Sequence, residues 1–232
     1  MAELTAYEAG WRKVCEDLDD HPGIEVLQRH EGEFDTGLAD AAAAWETLVH
    51  PQKVTAPAGL GQCQLRFHGL GRQWQTVAAK ARVAGEFFVG HIGRAGPPAI
   101  DEIEPWGDDD GEFPASQLRV IDVHPYTGTG QIVGLRLLPG GGEPEIWWTD
   151  RQYGDWKLDI GYREYLNTLQ TTKGAFMWQL LFTQAPLGEE EFASVRRRLE
   201  DMLEVLPALF PEHDYEPLRN RLAARLQGRY DM

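Results

Sequence analysis

The sequence predicts an α+β fold: one mixed or antiparallel, bent sheet of about four to six strands, flanked by N-terminal and C-terminal helices. Helical spacing dominates the first part of the chain, strand composition the middle, and helical spacing the remainder from Gly161. Elements segregated in this way favour α+β over an alternating α/β fold. We expect residues 1–182 to form the α+β domain and residues 183–232 to form a helical extension packed on it.

The N-terminal part is predicted to be helical in three places. Thr5 and Glu8 have the spacing of a capping box, in which each side chain accepts a backbone N–H at the helix start. Apolar residues recur at helical spacing over Leu38–Val49, which predicts a second helix. Pro57 and Gly69 flank a segment for which we predict a short helix, Ala58–His68.

The middle of the chain has the composition of strands. Aromatic and β-branched residues are concentrated in five segments, which are Arg72–Val77, Gly85–Ile92, Leu118–Val123, Ile132–Leu138 and Glu145–Asp150. The connections HPYTGTGQ and PGGGEP are rich in turn residues. These features predict an antiparallel meander, with a short last strand in YGDWKLD.

The helical C-terminal part contains an interruption, TTKG, at Thr171–Gly174. It is either a binding site or a corner in the scaffold. A phosphate-binding loop needs several glycines after a strand, and only Gly174 is present, so we favour a corner with Gly174 in left-handed geometry. The next helical segment contains Val195 and Leu199 on one face, and Pro207 is predicted to end it.

The composition limits which kinds of partner and which cellular compartment are expected. The formal charge is −15, from 37 acidic and 22 basic residues, so a nucleic-acid ligand is not expected and a basic protein partner is favoured. Solubility alone is the alternative explanation of the charge. The N-terminus lacks the features of a signal peptide, and no apolar run approaches the length of a membrane span. We therefore expect a cytoplasmic protein that does not bind membranes.

No catalytic or metal-binding signature is present. The chain has two serines and no GxSxG motif, and its seven histidines are isolated, without an HxH or HExxH pattern. The glycines of YTGTGQIVG precede a strand rather than a helix, which argues against a phosphate cradle. Cys63 with a distant histidine stays open as a nucleophile. We predict no catalytic residue, no metal and no cofactor, and hence a protein that is not an enzyme.

Two features indicate partner recognition. In IDEIEPWGDDDGE, Ile100–Glu112, seven of thirteen residues are acidic and none is basic. We predict an exposed loop with Trp106 as an aromatic anchor. Its acidic rim consists of Asp101, Glu102, Glu104, Asp108, Asp109 and Asp110. Trp147 and Trp148 are adjacent in a strand and point to opposite faces, so Trp147 is a second anchor unless a helix covers that face.

The segment AGLGQCQLRFHGLGRQWQ, with Phe67, Gly69, Leu70 and Trp74, is similar to the helix-to-strand junction of the SUKH superfamily, and GEFFVGHI to the strand that follows. YREYLNTLQTTKGAFMWQ resembles the family's helix after the sheet. The matching residues there are Tyr162, Tyr165, Leu166, Gly174, Trp178 and Gln179. The resemblance covers about Ala39–Phe182. It implies an α+β fold around one bent sheet, no catalytic residues, and a role as an immunity protein against a toxin, often a nuclease, or as a regulator.

The leading hypothesis is therefore a non-enzymatic protein-binding module, an immunity protein that neutralises a basic toxin by occlusion. One alternative is an uncharacterised enzyme or small-ligand binder that uses a pocket beside the sheet, where His91 or His124 meets carboxylates. Another is a regulatory or structural protein without a toxin partner.

Overall fold

The computed structural model describes residues 3–50, 52–77, 81–98, 113–128 and 130–228, which form an α+β fold. The helices are α1 (Ala6–Asp20), α2 (Ala41–Val49), α3 (Tyr162–Thr172), α4 (Ala193–Leu209) and α5 (Glu216–Leu226). The strands are β1 (Ile24–His30), β2 (Leu70–Thr76), β3 (Ala84–Val89), β4 (Leu118–Val123), β5 (Ile132–Arg136), β6 (Glu145–Asp150) and β7 (Gly154–Lys157). No helix among these residues has both the length and the apolar character needed to cross a membrane.

The strands form two antiparallel sheets, and the expectation of a single sheet was wrong. The first sheet has the order β1-β2-β3 and the second has the order β4-β5-β6-β7. Strands β3 and β4 lie side by side, but β4 carries a register shift between Val120 and Asp122. A bulge of this kind bends a strand, and the two neighbouring strands form no ladder with each other.

Two buried carboxyl groups connect the sheets in place of a backbone ladder. Asp122 on β4 accepts hydrogen bonds from the Phe88 backbone N–H, at 2.9 Å, and from the Tyr165 hydroxyl, at 2.7 Å. Glu86 on β3 accepts hydrogen bonds from the backbone N–H groups of residues 126 and 127, just beyond β4, at 2.7 and 3.0 Å. Each sheet thus supplies a carboxyl group to backbone donors of the other, and Asp122 also ties α3 to the junction.

The N-terminal region partly confirms the sequence predictions. The capping box of Thr5 and Glu8 is present at the start of α1. The helix predicted over residues 58–68 is wrong, because only the 3-10 turn Leu60–Gln62 forms there. Gly59 adopts φ +76°, and two glycines within three residues make a longer helix costly. Strand β1 was not predicted, because most of its side chains are exposed and show no apolar alternation.

The C-terminal helices pack on the same core as the sheets. One buried apolar cluster extends from Trp11 in α1 to Leu222 in α5. Helix α4 continues past Pro207 to Leu209, so the predicted end at Pro207 was wrong. A proline removes the N–H that would bind the carbonyl four residues earlier. That carbonyl, of Leu203, instead accepts a hydrogen bond from the Arg219 side chain at 3.2 Å, which offsets the loss.

The interruption after α3 is a corner that docks on the first sheet. Lys173 and Gly174 both have left-handed backbone geometry, with φ of 54° and 71°. The Lys173 carbonyl accepts the Trp74 indole N–H at 2.7 Å, and the Gly174 carbonyl accepts the Glu86 N–H at 2.9 Å. The backbone therefore passes close to β3, where a Cβ on Gly174 would lie 2.6 Å from the Glu86 carbonyl oxygen.

We predict that Gly174→Ala lowers the free energy of unfolding by at least about 2 kcal/mol, because the left-handed geometry and the contact with β3 both oppose a side chain. Urea unfolding followed by Trp fluorescence measures the change. Gly61→Ala is the matched control, since a Cβ there meets no atom within 4 Å. An equal loss in both variants would contradict the predicted role of the corner.

Candidate functional site

The structure describes one of the eight residues proposed for partner binding. Asp101, Glu102, Glu104, Trp106, Asp108, Asp109 and Asp110 lie outside the described residues. Trp147 lies on β6, is 5 % exposed, and belongs to a small apolar cluster separate from the main core. Its neighbour Trp148 is fully buried in the main core, so the two indoles occupy opposite faces of the second sheet as expected from strand geometry.

We name the Trp147 cluster as the four buried residues Phe113, Leu118, Ile132 and Trp147 on the outer face of the second sheet. The rings of Phe113 and Trp147 make a T-shaped contact with centroids 4.8 Å apart. The Arg136 guanidinium lies 4.1 Å from the Phe113 ring centroid. Phe113 and Arg136 both contact the Trp147 ring on this face.

Phe113 packs directly on the Trp147 ring, and in the sequence it follows the acidic segment Ile100–Glu112. The acidic residues themselves lie outside the described residues. The contact between Phe113 and Trp147 joins positions that are distant in the sequence, and periodicity gives no signal for it.

Glu145 organises the charges on the same face. Its carboxylate accepts hydrogen bonds from Lys157, at 2.5 Å, and from the Trp147 indole N–H, at 2.9 Å. Arg136 Nη1 lies 3.4 Å from Glu145 Oε2. Burial alone would raise the pKa of Glu145, but the hydrogen bonds from Lys157 and Trp147 hold that pKa below its ordinary value. The Trp147 indole is thus held in one orientation by a carboxylate that stays ionised.

Trp147 also lines a cavity of about 540 Å³ beside the edge strand β7. Leu158 and Phe182 contribute apolar surface to this cavity, and Lys157 and Arg225 contribute cationic side chains. An aromatic ring beside a concave apolar surface is the arrangement in which a partner side chain gains the most from losing water. Trp147 is therefore buried at the wall of a cavity rather than in the middle of the main core.

A second cavity, of about 490 Å³, brings His91 and Asp122 together, as the alternative hypothesis of a pocket beside the sheet expected. The His91 ring contacts the Ala39 carbonyl oxygen at 2.9 Å and accepts the Gly93 N–H at 3.2 Å. Burial raises the pKa of Asp122 to about 7. Both groups are engaged by the fold, and neither forms a nucleophile–base pair with a described residue.

His124 and Cys63 are both buried. Burial lowers the pKa of His124 to about 4, and this histidine does not line the cavity that contains His91. Burial raises the pKa of the Cys63 thiol to about 11, and the thiol donates to the Gly59 carbonyl at 3.1 Å. A nucleophilic cysteine needs a lowered pKa, so Cys63 is a structural residue.

Asp17, Glu212 and His213 form one group of possible metal ligands, with ligand atoms within 4.8 Å of one another. The buried Lys173 already binds this group. Its ammonium lies 3.1 Å from Asp17 Oδ2 and 3.0 Å from His213 Nε2. A divalent cation would have to displace that ammonium, so this cluster has the character of an ion-pair network. No local sequence pattern predicts this cluster, because Asp17 and Lys173 lie far from Glu212 and His213 in the chain.

Comparison with family models, with curated proteins and with solved structures gives no match. The functional assignment therefore depends on the residues described above.

We predict that Asp122 makes the protein less stable as the pH rises from about 4 to about 7. The folded state holds the proton on Asp122 up to about pH 7, whereas an unfolded chain releases it near 3.8. Between these values the folded state binds more protons, so the free energy of unfolding falls by up to about 1.4 kcal/mol per pH unit. Above about pH 7, the free energy of unfolding no longer changes with pH through Asp122.

Urea unfolding of the wild type and of Asp122→Asn at several pH values measures the effect, because contributions of other groups cancel in the difference. The stability of the wild type relative to the variant should decrease as the pH rises. A difference that is constant or increases with pH would contradict the assignment.

Proposed function

We propose that the chain is a non-enzymatic protein-binding module whose contact surface combines the Trp147 cluster with the adjoining acidic segment. The packing of Phe113 on Trp147 is the observation that carries this proposal, because it brings an aromatic anchor to the end of the most acidic part of the chain. An anchor surrounded by charge is the usual composition of an interface, with a desolvated centre and a polar rim.

The partner that the charge of this chain favours is a protein with a basic surface. The chain carries a formal charge of −15, and such a charge accelerates association with a partner of the opposite sign. A nuclease toxin needs a basic surface to hold phosphates, so an acidic protein that covers that surface would inhibit it by occlusion. The resemblance to SUKH immunity proteins supports this finer proposal, as does the engagement of His91, Asp122 and Cys63 by the fold.

Two rival functions make different predictions. A small-ligand binder or enzyme would use the cavity that His91 and Asp122 line, and substitutions there would change its activity without affecting capture of a protein. A regulatory protein would bind a partner that is not toxic. A toxin gene directly upstream of the coding sequence favours immunity, and a gene neighbourhood without one favours regulation.

We predict that replacing Asp108, Asp109 and Asp110 together by Asn weakens partner binding about tenfold or more and reduces its dependence on salt. The partner is captured on the immobilised full chain and identified, and titration calorimetry at two salt concentrations then measures the affinity. Replacing Glu189, Glu190 and Glu191 by Gln is the control, because it removes the same charge from a second acidic run, which is exposed. Unchanged affinity and salt dependence in the Asp variant would remove the acidic segment from the interface.

Trp147→Phe should weaken binding of the same partner, because the smaller ring loses both contact area and the hydrogen bond to Glu145. Trp148→Phe controls for destabilisation, since Trp148 is fully buried on the opposite face of the sheet. Affinity is compared under conditions in which both variants are folded by circular dichroism. An equal loss of affinity in the two variants would contradict a role for the Trp147 surface.

A further inference from the structure

A third cavity, of about 520 Å³, is lined by three arginines from separate parts of the chain. Arg82 precedes β3, Arg151 lies in the turn between β6 and β7, and Arg198 lies on α4. All three are exposed rather than buried in the fold. Three cationic side chains that converge on one cavity are unexpected in a chain with 37 acidic and only 22 basic residues.

The positive charge of this cavity is not cancelled by a carboxylate bound to Arg82 or Arg198. Arg82 donates a hydrogen bond to the neutral side chain of Gln75, and Arg198 forms no hydrogen bond or ion pair with any described residue. Asp150 also lines the cavity. Its carboxylate instead accepts the Gln131 amide at 2.7 Å and the backbone N–H groups of residues 152 and 153 at 2.7 and 3.0 Å.

The fold makes room for Arg151 at the rim of the cavity. Gly130 has φ +72°, and a Cβ on Gly130 would lie 2.8 Å from Arg151 Nε and 3.1 Å from its Cδ. The arginine side chain thus lies directly over the glycine backbone. A larger residue at position 130 would displace Arg151 from the cavity.

The remaining wall is apolar and contains a strained residue. Phe176, Met177 and Met202 also line the cavity. Met177 is buried and has φ +73°, a left-handed geometry that side chains other than glycine adopt at a cost. Such strain is concentrated at ligand sites, where the surroundings hold an unfavourable backbone in place. Met202 lies one helical turn after Arg198 on α4, so one helix supplies both a cation and an apolar contact.

We propose that this cavity binds a small organic phosphate, with the phosphate held by Arg82, Arg151 and Arg198 and the organic group against Phe176, Met177 and Met202. The planar guanidinium group presents parallel N–H donors that match the oxygens of a phosphate. The volume falls within the range of small-ligand pockets, and the combination of an apolar wall with a few converging polar groups is typical of them. This site is independent of the Trp147 surface and of the protein-binding function.

Titration calorimetry of the full chain with phenyl phosphate tests the proposal, with inorganic phosphate and phenol as the two halves of the probe. We expect saturable binding of phenyl phosphate that is tighter than that of either half. Arg198→Gln should weaken it at least about tenfold, the size expected for the loss of a charge-assisted hydrogen bond. Arg82→Gln should also weaken the binding of phenyl phosphate.

Arg197→Gln is the matched control, because this substitution removes the same charge from the same helix. Arg197 is exposed and does not line the cavity. Equal losses in the Arg197 and Arg198 variants would show nonspecific attraction and overturn the site. Absence of saturable binding to both phosphates at about 10 mM would also overturn it. Equal affinity for inorganic and phenyl phosphate would overturn the assignment of an organic ligand.

Discussion

The exchange of carboxyl groups between β3 and β4 holds the two sheets of this protein together. Asp122 accepts the Phe88 N–H of the first sheet, and Glu86 accepts two backbone N–H groups in the turn that follows β4. Tyr165 donates its hydroxyl to the same Asp122, which ties α3 to both sheets. The corner at Gly174 packs beside this junction, since the Gly174 carbonyl accepts the Glu86 N–H.

Charge is distributed unevenly along the sequence. The acidic surplus of the chain is greatest in Ile100–Glu112, which Phe113 follows. Arg82, Arg151 and Arg198 instead line one cavity. The two proposals therefore assign a basic protein and a small anion to different residues of the chain.

Local patterns in the sequence were sufficient for the capping box at Thr5, for strands in the middle of the chain and for the opposite orientations of Trp147 and Trp148. These patterns failed where contacts between residues distant in the sequence determine the structure. Strand β1 is mostly polar and forms because β2 offers a pairing edge. The side-chain hydrogen bonds of Asp122 that connect the two sheets also join distant parts of the sequence. The cavity that Arg82, Arg151 and Arg198 line brings together three positions that are too far apart for any local sequence pattern to relate.

The buried Lys173 couples two parts of the fold that lie far apart in the sequence. Its ammonium is held by Asp17 on α1 and contacts His213 between α4 and α5, and a buried cation without partners is strongly disfavoured. Local opening of either part would leave the ammonium with an incomplete set of partners. Helix α1 and the connection between the last two helices are therefore expected to open together rather than independently.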